Sequence, residues 1–346
     1  MTFKPLIKSL ITGMLARVAT LTLRQHRHDL LIVTYHRVLP GNDPRLLKEQ
    51  PGMYVHPDVF DMHLHVLKKH FDIIDLNTLF FDSSISSSPK SKPRCAITFD
   101  DGWLDNYQHA FPLLLKHRVP ATIFLVSELV GSSKDFWPGQ LASLLNKVAQ
   151  QEPDAFSDST FDWLKCLNTP NIKYAFGATS PTQNEIDQII SACKVYSEVF
   201  IYQNLNAVKK HLKSRGLTLS EERVLLNQNE IVEMHQSGLI SFGSHTANHI
   251  RLSDEIDSDM IASEIAGSQH SLRQLIGGDI NLFCYPNGDY GDKALACVKQ
   301  YYKAAVTTQK GWNTPTNDPY QLKRIHLHND IAATQAQFLT RIRGWM

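Results

Sequence analysis

Short apolar runs alternate with amphipathic stretches along most of this chain. Runs typical of buried strands occur at residues 30–36, 71–74, 95–99, 120–126, 240–243, 282–285 and 322–327. A further run of this kind ends at residue 306. Stretches with apolar residues at helical spacing lie between them, at 57–70, 228–238, 254–276 and 334–343, and another such stretch ends at residue 117. Strand and helix therefore alternate, which predicts a parallel sheet that is closed, or nearly closed, into a barrel.

The rhythm changes between residues 131 and 222. This segment is rich in Gln, Asn, Lys and Ser, lacks a clear strand, and contains helical patterns such as 185–193. It is interpreted as a mostly helical insertion in the barrel and not as a second catalytic domain. Its aromatic residues Phe136, Trp137 and Trp163 are candidates for shaping a pocket, although packing of the insertion onto the barrel is the simpler interpretation for Trp163.

Residues 1–28 carry five basic side chains and no acidic one, and their apolar positions recur at helical spacing. No apolar run here reaches the roughly 20 residues that a membrane span needs. Two interpretations stay open with equal weight, a basic amphipathic helix on the anionic inner leaflet of a membrane and a helix that packs on the barrel. A signal peptide fits less well, because Arg17 interrupts the apolar region and no small-residue cleavage site stands out.

The composition narrows the classes of function. With 35 Lys and Arg against 34 Asp and Glu, the net charge is +1, and no basic stripe with interleaved aromatic residues lies outside the first 28 residues. Nucleic acid is therefore not an expected partner. The five cysteines show no paired spacing, and Cys95 and Cys284 lie in apolar runs, so they are interpreted as reduced core thiols. Reduced thiols favour a cytoplasmic location, with export as the alternative. The membrane-helix interpretation of residues 1–28 would add a peripheral position on the inner membrane.

The apolar run 95–99 ends at Asp100-Asp101-Gly102, where candidate chemistry begins. Unpaired carboxylates do not leave water cheaply, so two of them at the end of a buried strand need partners. Taken alone, this motif is more simply a strand-to-helix turn in which Asp101 caps the next helix. The histidines of a second motif change that balance.

The run 240–243 leads to His245 and His249, whose four-residue spacing lets both imidazoles face one point from a compact loop. Two histidines and one carboxylate are a common three-ligand set for a hydrolytic zinc ion, with the fourth position left for water. A His-x-x-x-His pair alone is usually structural, but combined with the Asp-Asp motif at another strand end it indicates a divalent-metal site. Zn²⁺ is the first expectation, and Co²⁺, Ni²⁺ and Mn²⁺ are alternatives.

Thr98-Phe99-Asp100-Asp101-Gly102 and Ser244-His245-Thr246-Ala247-Asn248-His249 together resemble the polysaccharide deacetylase family, also known as the NodB-homology domain or carbohydrate esterase family 4. The resemblance covers residues 30–330 apart from the insertion, and it implies a distorted (β/α)7-type barrel. It also implies that Asp100 is the general base. The implied metal ligands are Asp101, His245 and His249.

His36 directly follows the first strand-like run, in Tyr35-His36. The carboxyl ends of parallel barrel strands converge on one mouth, so this imidazole is expected near the other two motifs. The Tyr-His pair is similar to the circularly permuted branch of the family, in which this His replaces the general acid of a Leu-x-His motif. His36 is therefore the predicted acid, with His326 and His328 as rivals. Histidines of the 57–70 helix are assigned to its surface: His63, His65 and His70.

Pro286-Asn287-Gly288 follows the run 282–285. In the family, the residue after this Pro donates a main-chain N–H to the oxyanion of the tetrahedral intermediate, which implies that role for Asn287. Tyr285 and Pro286 are candidates for contact with substrate.

Two departures from the family pattern affect the site. The family's Arg-x-Pro-aromatic-Gly motif positions the base through its Arg, and here Cys284 stands at the Arg position and Asn287 at the aromatic one. Arg324, near the last strand, is the candidate substitute for that Arg. The Asp-x-x-Asp-Trp motif is reduced to residues 308–312, where both acids are absent and Trp312 is the candidate wall of the acetyl pocket.

The metal-site residues predict a metal-dependent hydrolase, and the resemblance implies that it removes N-acetyl groups from N-acetylated sugars of a polysaccharide or a lipid-linked oligosaccharide. Asp100 accepts the proton of the attacking water, and His36 protonates the leaving nitrogen. A close variant removes another acyl group, such as formyl, from a lipid-linked sugar. The alternative, motivated by the two departures, is a saccharide-binding or assembly protein of a cell-surface polysaccharide pathway whose catalysis has decayed.

Overall fold

The apolar runs form ten strands in the part of the chain that the computed structural model describes, residues 13, 15, 18, 20–47, 49–80, 92–167, 181–217 and 222–345. In chain order the strands are β1 (Leu30–Tyr35), β2 (Arg37–Val38), β3 (Tyr54–Val55), β4 (Asp72–Ile73), β5 (Arg94–Phe99), β6 (Ala121–Leu125), β7 (Ile240–Ser244), β8 (Leu282–Cys284), β9 (Ala304–Lys310) and β10 (Leu322–His326).

Seven of these strands close into a barrel. Hydrogen bonding runs in the order β1-β10-β9-β8-β7-β6-β5, a β1–β5 pairing joins the two ends, and every pair is parallel. The β4 strand pairs with the first residues of β5 and β6 with its last residues, so β4 lies outside the ring. The short β2 and β3 strands form a separate parallel pair. The predicted (β/α)7-type barrel is confirmed.

Alternation of side chains along the strands separates two apolar layers. Ile32 and Phe124 belong to a small cluster that fills the ring, whereas their chain neighbours Val33 and Ile123 belong to a larger cluster shared with the surrounding helices. A strand buried on both faces needs apolar residues at successive positions, which explains why the barrel strands read as continuous apolar runs.

Helices of the barrel unit cover the outside of the sheet. Among the described residues they are Pro57–His70, Phe111–His117, Gln228–Gln236, Ser258–Ala262, Ser268–Ile276, Asp292–Tyr301, Asn329–Ala332 and Gln335–Ile342. Two π-helical turns occur at Asn106–Ala110 and Ser263–Gly267. Short 3-10 helices lie at Leu23–His26, Thr78–Phe80, Ser127–Leu129 and Pro286–Gly288.

Two local predictions can be compared with these helices. Asn227 and Glu230 form the reciprocal capping box that the sequence indicated at the start of Gln228–Gln236. His63, predicted at the surface, is instead fully buried in the Pro57–His70 helix, where it accepts a hydrogen bond from the Tyr35 hydroxyl and contacts the Ala332 carbonyl. The error arose because helical spacing does not show which polar residue finds buried partners.

Residues 42–50 and 133–224 form a second compact unit with its own core. Its helices are Pro44–Leu47, Trp137–Gln151, Pro153–Ser157, Ser159–Phe161, Asp162–Lys165, Gln183–Cys193 and Glu198–Ser214, and its described residues contain no strand. Trp137 and Trp163 both belong to the apolar cluster of this unit. We call it the insertion unit, and the remainder of the chain the barrel unit.

The basic helix predicted over residues 1–28 falls largely outside the described residues. Within the part that the structure describes, no helix combines the length and apolar character needed to cross a membrane.

Candidate active site

The carboxyl ends of five barrel strands carry the polar residues that the sequence singled out. Asp100 and Asp101 follow β5, His245 follows β7, and His36 follows β1. Asn287 follows β8, and His326 is the last residue of β10. Because the strands are parallel, these ends share one mouth of the barrel.

Asp101, His245 and His249 converge on one point. The Asp101 Oδ1 atom lies 3.5 Å from the Nε2 atom of each histidine, and the three potential ligand atoms all lie within 4.8 Å of one another. Zinc–ligand bonds of about 2.0–2.2 Å in a tetrahedron separate neighbouring ligand atoms by about 3.3–3.6 Å. The donor set and its spacing therefore fit a divalent cation such as zinc.

The Asp101 carboxylate is aimed by its neighbours in the turn. Asp101 and Gly102 have positive φ values of 76° and 74°, and a Cβ atom at residue 102 would come within 2.7 Å of a Leu125 side-chain carbon. The Trp103 indole N–H donates to Asp101 Oδ2 at 2.9 Å, which leaves Oδ1 facing the histidines. At position 102, glycine is therefore required both by the positive φ value and by the short distance to Leu125.

A buried ion pair supports the Trp103 ring. The Arg37 guanidinium lies 4.2 Å from the ring centroid and pairs with Asp105 at 2.9 Å. Asp105 also accepts the Val38 main-chain N–H at 2.8 Å. Sequence reasoning missed this network, because Arg37 and Asp105 lie far apart in the chain and neither belongs to a predicted motif.

Both histidines present an available nitrogen. The His245 Nδ1–H group donates to the Cys284 carbonyl at 2.8 Å, which leaves Nε2 facing Asp101. Burial opposes the change, but the neighbouring Cys284 and the hydrogen bond to Asp101 raise the pKa of His245 well above its ordinary value, so binding of a cation would displace a proton from Nε2. A hydrogen bond of this kind orients a metal-binding imidazole and selects its tautomer. Burial lowers the pKa of His249 to about 4, with the neighbouring His245 adding to the effect, so this imidazole is neutral at physiological pH.

Asp100 is gripped by Arg324. The guanidinium donates to both carboxylate oxygens, at 2.7 and 2.8 Å, and both side chains are buried. Burial alone would raise the pKa of Asp100, but the charge and hydrogen bonds of Arg324 outweigh it and hold that pKa at about 2. Asp100 is therefore an ionised acceptor throughout the physiological range.

Arg324 occupies the place of the arginine absent from position 284. Its Nη2 atom lies 3.2 Å from the Cys284 sulfur, and its other donors reach the Thr34 hydroxyl at 2.9 Å and the Thr307 carbonyl at 2.9 Å. The tether to the base thus comes from β10 and not from β8, as the candidate role of Arg324 required. The thiol leaves room for the guanidinium.

The three candidate acids form a row of imidazoles. His36 Nδ1 lies 3.2 Å from His326 Nε2, and the His326 and His328 ring centroids are 5.3 Å apart. Burial, together with the neighbouring His36 and His328, lowers the pKa of His326 to about 2, so this ring is neutral and unsuited to donate a proton as an imidazolium. His328 contacts the Asp330 carboxylate at 3.1 Å. His326, which lies beside His36, is therefore a hydrogen-bond partner of the His36 ring.

Asn287 lies at the centre of the Pro286–Gly288 turn. Its φ of 55° and ψ of 2° place it in the left-handed region, its carbonyl accepts the Thr308 hydroxyl, and the residue is exposed. Among the described residues, its main-chain N–H has no acceptor. Pro286 is buried at the start of the turn and sets its direction. The turn therefore offers an N–H donor at the mouth.

Two predicted substrate contacts lie elsewhere. Trp312 stacks on His26 at 4.3 Å and donates to the Ile342 carbonyl, next to the bridge between Asn313 and Leu30 at the amino end of β1. It is therefore at the end of the barrel opposite the mouth. Tyr285 stacks on Tyr290 at 4.1 Å in the outer apolar layer, because odd and even positions of β8 face opposite sides of the sheet. These placements correct the roles predicted for Trp312 and Tyr285.

Comparisons with known proteins agree with this arrangement. A family model described as polysaccharide deacetylase matches residues 87–306. YxkH of Bacillus subtilis, a protein assigned to the polysaccharide deacetylases, is 32% identical over 300 residues, which is 86% of this chain and 71% of YxkH. The poly-β-1,6-N-acetyl-D-glucosamine N-deacetylase of Staphylococcus epidermidis is 24% identical over 342 residues, covering 93% of this chain and 85% of that protein.

Solved structures show the same fold. The Streptococcus pyogenes deacetylase PplD, determined in complex with acetate, superposes with a TM-score of 0.57 at 18% identity, covering 91% of this chain and 98% of PplD. IcaB from Ammonifex degensii superposes with a TM-score of 0.55 at 16% identity, covering 91% and 97%.

Proposed function

The chain belongs to the polysaccharide deacetylase family, and on this premise we propose that it removes N-acetyl groups from N-acetylated sugars with the help of a divalent cation. The observation that carries the proposal is the convergence of Asp101, His245 and His249 beside the ionised Asp100. Two imidazoles and one carboxylate are the set that hydrolytic zinc sites use. A cation held there would polarise the acyl carbonyl and make water easier to deprotonate.

Asp100 is proposed as the general base. Its carboxylate is ionised, lies next to the ligand Asp101 in the chain, and is held by two hydrogen bonds from Arg324. These two hydrogen bonds restrict the Asp100 carboxylate to one orientation, so it accepts the water proton at a defined position. Pairing with Arg324 also lowers the basicity of Asp100. Asp100 can therefore deprotonate only a water molecule whose pKa a bound cation has lowered.

Two groups are proposed to act on the collapsing intermediate. The Asn287 N–H donates to the developing oxyanion, since it is exposed at the mouth and unused by the described residues. His36 protonates the departing nitrogen, with His326 holding its Nδ1 side at 3.2 Å. An amine leaves far more readily after protonation. The role of proton donor is therefore assigned to His36.

The proposed substrate is a polymer or lipid-linked oligosaccharide that contains N-acetylated hexosamine. Support comes from the S. epidermidis relative, whose name specifies poly-β-1,6-N-acetyl-D-glucosamine. The decayed, non-catalytic alternative loses one of its two motivations, because Arg324 supplies the tether that the Cys284 substitution removed.

The test is acetate release from oligomers of N-acetylglucosamine by the purified full chain. We expect release to stop after treatment with a chelator and to return on addition of Zn²⁺. Asp100→Asn should lower kcat by about 10²- to 10⁴-fold, the usual contribution of a general base. Asp259→Asn, the same change at an exposed helix position, is the matched control and should leave kcat unchanged. Undiminished release by zinc-free protein, or by Asp100→Asn, would refute the proposal.

A further inference from the structure

We propose that Glu264 is a positioning residue for the metal site, and that its carboxylate holds the loop 245–249 in the shape that directs His249 towards Asp101. This inference rests on the proposed metal site. Glu264 is buried, with 4% of its surface exposed, and lies in the π-helical turn Ser263–Gly267. Such turns are frequent at functional sites because they redirect side chains locally.

The loop has a backbone that needs external support. Thr246 and His249 have φ values of 67° and 59°, although neither is glycine. A β-branched residue in this region is a real outlier and persists only where surrounding contacts over-determine it. The Thr246 hydroxyl accepts the His249 N–H at 2.9 Å, which closes the loop on itself.

One side of the loop is held by main-chain contacts alone. The Ser127 N–H donates to the Thr246 carbonyl at 3.2 Å, and the Glu128 N–H donates to the Ala247 carbonyl at 3.0 Å. These bonds come from the segment after β6 and do not depend on side-chain identity. They anchor the middle of the loop but leave the peptide before His249 to other partners.

The other side is held by Glu264. The Asn248 main-chain N–H donates to Glu264 Oε2 and the Asn248 side-chain amide donates to Glu264 Oε1, each at 2.8 Å. A buried carboxylate is costly unless its oxygens are hydrogen-bonded, and Asn248 satisfies both of them. Since this N–H belongs to the residue before His249, its direction sets the direction from which the imidazole leaves the chain.

A second contact from the same helical segment holds the start of the loop. The Ser268 hydroxyl lies 2.6 Å from the Ser244 hydroxyl, and both are buried. Ser244 directly precedes the ligand His245. The segment 264–268 therefore fixes both ends of the histidine loop, through a hydroxyl pair at one end and a carboxylate at the other.

The deciding measurement is the affinity of the full chain for Zn²⁺, titrated against a chromophoric chelator. Supporting groups next to metal ligands typically contribute about 10- to 100-fold to metal affinity, so we expect Glu264→Ala to weaken zinc binding by about that factor. Glu264→Gln should stay close to wild type, because its amide oxygen still accepts the Asn248 N–H and the Asn248 side chain can reverse. Glu255→Ala, at an exposed position ahead of the same helix, is the matched control.

Thermal unfolding of the metal-free variants separates positioning from general stability. A merely structural role would lower the unfolding temperature of Glu264→Ala while its folded fraction bound Zn²⁺ with wild-type affinity, and that result would overturn the inference. If Glu264→Ala does not fold, Glu264→Asp shortens the carboxylate arm so that it no longer reaches both Asn248 donors. Unchanged zinc affinity of folded Glu264→Asp would then refute the inference, and weakened affinity would support it.

The outcome for the wild type distinguishes this inference from the proposed function. Wild-type protein that binds no Zn²⁺ would remove the metal site itself. Wild-type protein that binds Zn²⁺, together with Glu264→Ala of equal affinity, would remove only the positioning role.

Discussion

The barrel unit and the insertion unit differ in what their interiors contain. The barrel unit buries several charged side chains in paired arrangements: Arg37 with Asp105, Arg324 with Asp100, and Glu264 with Asn248. Among the described residues of the insertion unit, Glu198 is the one charged side chain that is buried, and the core consists of apolar residues on helices. Buried charge costs free energy unless it is paired, so its concentration in one unit marks where chemistry is placed.

Backbone strain follows the same division. Among the residues that the structure describes, five other than glycine have positive φ values, and all five lie in the barrel unit. Three of these, Asp101, His249 and Asn287, are residues that the sequence singled out for the site. A conformation of this kind costs roughly 1–3 kcal/mol and survives only where surrounding contacts hold it. The insertion unit, whose described residues show no such strain outside glycine, follows local sequence signals instead.

The largest expected difference between the units concerns their arginine–carboxylate pairs. Arg324→Met leaves Asp100 buried and unpaired, and we expect a loss of about 3–5 kcal/mol in the free energy of unfolding. Arg215→Met, which removes the half-buried pairs with Glu152 and Asp158 in the insertion unit, should cost at most about 1 kcal/mol. Urea denaturation at neutral pH measures both. Equal losses would show that burial does not separate the two pairs.

A somewhat smaller effect should appear as pH dependence of the barrel unit. Burial lowers the pKa of His63 to about 4, against its ordinary value of 6.5. Between these values the unfolded chain binds more protons, so stability is fully present above pH 6.5 and declines as the pH falls towards 4. The loss amounts to about 3 kcal/mol over that window.

Urea denaturation at several pH values tests this, with His63→Gln and His65→Gln compared. The two histidines lie on one helix, but His65 is exposed. His63→Gln should make the fall in stability between pH 6.5 and 4 smaller by about 3 kcal/mol, and His65→Gln should leave it as in wild type. A wild-type stability that did not fall in this window would contradict the assignment.

The smallest expected effect tests whether local signals act equally in both units. Thr182 and Glu185 form a capping box in the insertion unit, as Asn227 and Glu230 do in the barrel unit. Thr182→Ala and Asn227→Ala should each lower the free energy of unfolding by about 1 kcal/mol, because each removes the side-chain oxygen that accepts a main-chain N–H at the start of a helix. Neither should alter zinc affinity. A change in affinity for Asn227→Ala would show that this cap also shapes the barrel mouth.

Local pattern was sufficient for much of the fold. Continuous apolar runs at β1, β5, β6 and β7 predicted buried parallel strands, and their alternation with amphipathic stretches predicted the barrel. The Asp-Asp and His-x-x-x-His motifs predicted a cluster that the structure assembles within 4.8 Å. These predictions succeeded because strand period and strand-end chemistry are properties of adjacent residues.

Side-chain direction and distant partners were less accessible. Tyr285 and Trp312 were assigned to substrate on motif position, but one faces the outer layer and the other lies at the opposite end of the barrel. Trp103, only two residues from Asp101 in the chain, is a local hydrogen-bond donor to that carboxylate. Arg37, Asp105 and Glu264 carried no local signal, since their partners are brought near only by folding.

The sequence by itself determined the strand–helix alternation, the turn chemistry after β5 and β7, and the set of donor atoms available for a cation, since each depends on neighbours in the chain. Only the tertiary structure decided that Arg324 replaces the arginine missing at position 284, that His326 lies against His36, and that Glu264 holds Asn248. Those contacts span elements far apart in sequence, and closure of the barrel sets which strand ends become neighbours.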